Sequence, residues 1–105
     1  MATALNQATF DEVIAGSDVP VLVEFWAEWC PPCRALAPVL DSIVAENADL
    51  ALYKVNSDEE PELAARFAVS SVPTTLVFKD GALAKRMIGA RGKRHLLEEL
   101  GDVLS

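Results

Sequence analysis

Apolar positions along this chain fall into short blocks whose spacing switches between a strand-like and a helix-like period. Residues 21–27, VLVEFWA, form a nearly continuous run of β-branched and aromatic residues, which suits a central strand covered on both faces. From Cys30 to about Asn47, Leu36, Val39, Leu40, Ile43 and Val44 recur with a period near ~3.6, predicting an amphipathic helix that starts at the two cysteines. Leu50 to Val55 reads as a second strand, Pro61 to Phe67 as a short helix with proline in its first turn, and Thr74 to Phe78 with Leu83 to Ile88 as a hairpin turned at Asp80-Gly81. At the start, a brief extended segment near Ala4 and Leu5 precedes a short helix. Its Thr9-Phe-Asp-Glu12 opening reads as a capping box, with Phe10, Val13 and Ile14 turned inward. A last helix carries Leu96, Leu97, Leu100, Val103 and Leu104 on its inner face.

The predicted order is β-α-β-α-β-α-β-β-α. Strands separated by helices imply a parallel core with right-handed crossovers, and a tight turn makes the last two strands antiparallel. The expected fold class is α/β: a single mixed central sheet, a parallel core plus a C-terminal antiparallel hairpin, with helices on both faces.

Composition narrows this picture. A chain of 105 residues with 51% apolar content is one domain over residues 1–105, with a single core and no disorder. No apolar run approaches a membrane span, and MATALNQATFDE has neither the basic start nor the apolar block of a secretory signal, so a cytoplasmic location and no membrane partner are expected. The formal net charge of -7 argues against nucleic acid as a partner. Six of the nine basic residues nevertheless lie between Lys79 and Arg94, either as a solvated face or as a patch that steers a partner. A monomer is expected.

The candidate chemistry lies in FWAEWCPPCRALAP, which holds both cysteines, two residues apart. A bridge between Cys30 and Cys33 closes so small a loop that it restrains the unfolded chain little, so chemistry explains the pair better than stapling does. A thiolate attacks disulfides and a thiol hardly does, and a helix N-terminus favours the thiolate. Placed at the N-cap, Cys30 is the attacking thiol. Cys33, one turn further in, is shielded and close enough to resolve a Cys30 adduct. Pro31 and Pro32 suit the first two helical positions, yet each deletes an N–H and leaves that of Cys33 as the nearest backbone donor. Pro38 lies inside the helix and should kink it, a structural role. Arg34 adds nearby positive charge, either solvated or favouring the thiolate. Glu24 interrupts the apolar strand, where a carboxylate is costly without a task or a partner; it is either buried or an edge residue reaching solvent. Trp26 and Trp29 flank the cysteines. His95, in the first turn of the last helix, reads as a surface residue, and two cysteines with one distant histidine cannot complete a tetrahedral metal shell within a monomer.

FWAEWCPPCR, the Val72-Pro73-Thr74 segment and the Ile88-Gly89-Ala90 segment together resemble the thioredoxin family over essentially the whole chain. The resemblance implies the thioredoxin fold and a protein dithiol-disulfide oxidoreductase, most simply a general disulfide reductant. It implies that Glu24 takes or relays the proton of Cys33, with Lys54 on the neighbouring strand as its counter-charge. Pro73 would be cis, and Val72 would offer backbone hydrogen bonds to a substrate. Trp29, Pro31, Pro32, Val72, Pro73, Gly89 and Ala90 would form an apolar docking patch, with Trp26 packed beneath the loop. No bound cofactor is implied. Electrons would come from a thioredoxin reductase, NADPH- or ferredoxin-dependent, and go to targets such as ribonucleotide reductase, peroxiredoxin and methionine sulfoxide reductase. The departure is Pro31, where the family usually has glycine. Cys-Pro-Pro-Cys is similar to the pair of tryparedoxins and nucleoredoxins, which leaves a glutaredoxin-like, tryparedoxin-like or isomerase role with a more oxidising potential as the alternative. A non-catalytic docking module using the Trp29/Pro73 patch is the reading from another class.

Overall fold

The computed structural model describes residues 2–104. In chain order these form β1 (Thr3–Ala4), α1 (Phe10–Ala15), β2 (Val21–Trp26), α2 (Pro31–Glu46), β3 (Ala51–Asn56), α3 (Pro61–Arg66), β4 (Thr74–Lys79), β5 (Ala82–Ile88) and α4 (Lys93–Leu104). The strands make one five-stranded sheet in the order β1-β3-β2-β4-β5. The fold is the mixed α/β sheet expected.

Because side chains alternate along a strand, the apolar run of β2 serves two cores. Val21, Val23 and Phe25 join Phe10 and Ile14 of α1, Leu63 of α3, and Leu76 and Phe78 of β4. Leu22 faces the other way, among Leu36, Leu40 and Ile43 of α2 and Leu96, Leu100 and Val103 of α4. Glu24, next in phase after Leu22, therefore points toward α2.

Strand direction corrects one expectation. β1, β2 and β3 are parallel, but β4 runs antiparallel to β2, pairing Thr74 with Phe25 and Phe78 with Val21. A helix between β3 and β4 had implied a parallel return. Six-residue α3 spans only about 9 Å, too short to carry the chain back along a strand of roughly 20 Å. β4 instead begins at the end of the sheet where β2 and β3 finish, which brings the Val72-Pro73 segment beside the cysteines. At the β4–β5 turn, Asp80 and Gly81 both have positive φ, 53° and 80°, the backbone of a hairpin that follows the sheet twist.

The capping box is a second correction. Thr9 is the N-cap of α1 but makes no side-chain cap bond. Asn6 does the work instead, its Oδ1 accepting from the Ala8 and Thr9 N–H groups at 2.9 and 3.0 Å while Thr9 Oγ1 accepts from Asn6 N–H. The helix α2 continues through Pro38 as one element.

Candidate redox site

The loop after β2 turns into α2 at Cys30, whose extended backbone (φ -104°, ψ 98°) makes it the N-cap. Pro31 and Pro32 take the first two helical positions at no loss of helical bonds, since those N–H groups have no partner within a helix. The first N–H of the helix is thus that of Cys33. It donates to Cys30 Sγ at 3.2 Å as well as to the Cys30 carbonyl at 3.1 Å. A sulfur here fills the place that serine or aspartate fills in other helices, with positive partial charge in front of it.

Cys30 and Cys33 are joined as a disulfide, with Cα atoms 5.3 Å apart. Both are 2% exposed. Shielding therefore does not distinguish the two sulfurs, as had been expected; what differs between them is the Cys33 N–H, which donates to Cys30 Sγ. Arg34 closes the loop by donating from Nη2 to the Glu28 carbonyl.

Glu24 is buried, 5% exposed, and its Oε2 has no hydrogen-bond partner among the described residues. Burial pushes its proton affinity up to about 7 from an ordinary 4.5; the charge of Asp41 adds to this and that of Lys54 opposes it. A cavity of about 170 Å³ joins Glu24 to Cys33, with Trp26, Arg34, Ala37 and Lys54 as its other walls. Lys54 is the register partner of Glu24 on β3, yet no ion pair joins the two. Its ammonium lies over the Trp26 ring, 5.3 Å from the centroid, so it acts on Glu24 through space.

The remaining expected site residues lie on the end of β2 and the loop after it, the start of α2 and the two later segments. Trp26 and Val72 pack against the cluster of Ala27, Cys30 and Cys33. The Val72-Pro73 peptide bond is cis, Pro73 is buried, and Pro31, Pro32 and Ala90 are exposed. The Gly89 N–H donates to the Pro73 carbonyl at 2.9 Å, tying the two later segments together. Gly89 has φ 89°, so backbone conformation rather than a crowded contact is what calls for glycine here.

Three residues were not among the expected site residues. Asp58 accepts from Trp29 Nε1 at 2.8 Å and so fixes an indole that is 68% exposed; its signal was a polar turn just past a parallel strand end, where ligand sites gather. Ile88, 56% exposed, adds apolar surface beside Gly89, and its outward phase was readable from buried Met87 before it. Asp41 is the third. The expected patch of basic residues is largely engaged within the molecule: Lys85 with Asp102, Lys93 with Glu46, and Arg86 with the Phe67 carbonyl. His95 is exposed and lies 3.4 Å from Glu99.

A Cys-X-X-Cys pair at a helix N-terminus on a mixed five-stranded sheet fits the class of thiol-disulfide oxidoreductases. Comparison with known proteins narrows the class. The family model described as Thioredoxin matches residues 1–102. A curated "Thioredoxin" of Mycobacterium tuberculosis is 48% identical over 101 residues, 95% of this chain and 87% of that protein. A "Thioredoxin" of Mycolicibacterium smegmatis is 48% identical over 104 residues, 96% and 93% of the two chains. "Thioredoxin M-type, chloroplastic" of Chlamydomonas reinhardtii is 44% identical over 105 residues, 99% and 75% of the two. The chain belongs to the thioredoxin family and is a protein-disulfide oxidoreductase. Members of this family act without a bound cofactor, with thioredoxin reductase and disulfide-containing proteins as partners.

Proposed function

We propose that this single domain of residues 1–105 is a monomeric general disulfide reductant of the cytoplasm, with Cys30 as nucleophile and Cys33 as the resolving thiol. The observation that carries this reading is the hydrogen bond from the Cys33 N–H to Cys30 Sγ, which favours negative charge on one sulfur of the pair. The Cys30 thiolate attacks a target disulfide, one target sulfur leaves as thiolate, and a mixed disulfide forms. Glu24, as carboxylate, takes the Cys33 proton through the shared cavity, which has room for intervening water. The Cys33 thiolate then attacks Cys30 Sγ and expels the second target sulfur. Two electrons have passed to the target, and the Cys30–Cys33 disulfide remains. In the reverse direction protonated Glu24 supplies the proton to Cys33 as it leaves.

The target rests on Trp29, Pro31, Pro32, Val72, Pro73, Gly89 and Ala90, with Ile88 added, and Val72 supplies strand-like backbone hydrogen bonds. Trp26 and Pro38 support this surface from below. An NADPH- or ferredoxin-dependent thioredoxin reductase returns the electrons, and ribonucleotide reductase, peroxiredoxin and methionine sulfoxide reductase are the expected targets. No helix among the described residues is long and apolar enough to cross a membrane, and no step calls for nucleic acid, metal or lipid.

Two measurements test this. Cys33→Ser should accumulate a mixed disulfide with a protein substrate while Cys30→Ser gives none; turnover by Cys30→Ser would assign the roles wrongly. Equilibration of the pair against glutathione buffers should give a strongly reducing midpoint. A markedly oxidising one would mean that Pro31 has moved the protein to a glutaredoxin-like or isomerase role.

A further inference from the structure

Lys54 has two neighbours on one face of β2, and its ammonium sits on the uncharged one. Side chains two apart on a strand share a face, so Trp26 lies on the same side of β2 as Glu24. The register places Lys54 of β3 directly beside Glu24 and Asn56 beside Trp26. Glu24, Trp26 and Lys54 are all walls of the cavity that reaches Cys33. A lysine beside a buried carboxyl would ordinarily pair with it. Here Glu24 Oε2 has no partner among the described residues, and the ammonium stands 5.3 Å from the Trp26 ring centroid, inside the roughly 6 Å at which a ring face attracts a cation. No hydrogen bond orients that ring, since its buried Nε1 also lacks a partner among the described residues; it packs on Ala27, Cys30 and Cys33.

We propose that Trp26 is a positioning residue for disulfide exchange: its ring face holds the Lys54 ammonium inside the shared cavity but off the Glu24 carboxyl, so that Glu24 can both take and return a proton. This rests on the reading of Glu24 as the proton partner of Cys33. An ammonium paired directly with Glu24 would keep it a carboxylate, with no proton to return to Cys33. An ammonium lost to solvent would leave it protonated when it has to act as base. The ring fixes Lys54 between these extremes. Around Glu24, α2 contributes Cys33 and the Arg34 guanidinium, which is engaged with the Glu28 carbonyl. Burial and then the charge of Asp41, on the same helix, raise the proton affinity of Glu24, and Lys54 lowers it. Thr75 of β4 and Ala4 of β1, the register partners of Glu24 and Lys54, are uncharged. From α4, Lys93 reaches α2 further along, at Ser42 and Glu46.

NMR of the oxidised protein across pH tests this. In the unaltered chain the Lys54 Hε protons should be shifted upfield by the ring current both below and above the Glu24 titration midpoint; loss of that shift above the midpoint, as the ammonium leaves the ring for ionised Glu24, overturns the proposal. In Trp26→Leu the Glu24 carboxyl carbon should titrate about one pH unit lower, and in Trp26→Phe, which keeps a ring face, nearer the parent. A midpoint that stays or rises in a folded Trp26→Leu protein overturns the proposal. A larger cavity alone could admit water and lower the midpoint, so the substitution is repeated in Lys54→Met. There Trp26→Leu should leave the midpoint unchanged, and an equal acidward shift in both backgrounds also overturns the proposal. The rate at which Cys33 resolves a preformed Cys30 mixed disulfide gives a further readout, since the acid limb of its pH profile should follow the carboxyl midpoint in Trp26→Leu. A parent-like limb in Glu24→Gln counts against proton exchange by Glu24, while the Hε shift and the carboxyl midpoint still decide whether Trp26 positions Lys54.

Discussion

Glu24 is the residue at which stability and chemistry conflict. Its folded proton affinity, about 7, lies above the ordinary 4.5, so between those values the folded protein holds a proton that the unfolded chain releases. Stability is then fully present at low pH and declines as pH rises through about 7. At roughly 1.4 kcal/mol per unit, the ionised form costs on the order of 3 kcal/mol. Glu24→Gln should therefore be more stable than the parent by up to about 3 kcal/mol above pH ~8, and close to it near pH ~4. Urea unfolding of the oxidised proteins at the two pH values measures this; equal gains at both would show that burial of charge is not the cause. The sequence made the conflict visible, since a carboxylate stood inside VLVEFWA. It did not show the resolution. The Lys54 ammonium was legible as a neighbour, but its place over the Trp26 ring depends on side-chain packing that no pattern encodes.

At the scale of elements, the ends of helices separate what was legible from what was not. The N-cap role of Cys30 followed from a strand-to-helix junction with two prolines, because local backbone rules suffice there. The start of α1 obeyed a different rule, since Asn6 Oδ1 takes the Thr9 N–H that Glu12 would have bound, and the Asn6 N–H takes up Thr9 Oγ1. Asn6→Ala should cost about 1 kcal/mol, and Thr9→Ala or Glu12→Ala distinctly less, in thermal or urea unfolding; a larger loss at Glu12 would restore the capping box. The direction of β4 was misread for a related reason. An alternation of strands and helices does not state whether a helix is long enough to reverse the chain, and α3 is not. Its own anchoring is side-chain work: Arg66 binds Asp11 of α1 through both carboxylate oxygens at 2.7 and 3.0 Å and lies over the Phe67 ring. Arg66→Lys, which loses the planar fork, should loosen α3 against α1, seen as faster amide exchange in Leu63–Phe67.

For the whole molecule, β2 is the wall between two cores, Val21, Val23 and Phe25 on one side and Leu22 with Glu24 on the other. Both helical layers pack on it, together with residues of β3 and β4. Unfolding followed by far-UV circular dichroism and by tryptophan fluorescence should therefore give coincident curves; two separated transitions would mean that the α2/α4 layer detaches on its own. Leu36→Ala, fully buried in that layer, should shift both curves together, with a loss of about 2–5 kcal/mol. Layering of this kind was readable from periodicity alone, since period-2 and period-3.6 blocks already name their inner faces. What brings Cys30, Pro73 and Gly89 to one end is the strand reversal, a property of no single block.

The sulfur that caps α2 is also the atom that reacts, so the helix is wired to its own chemistry. Every event at Cys30, whether bridge, adduct, thiol or thiolate, changes what the Cys33 amide proton sees. That proton is a built-in gauge: its NMR resonance should take a distinct position for each state of the site, allowing one turnover to be followed from the backbone, with no reporter attached.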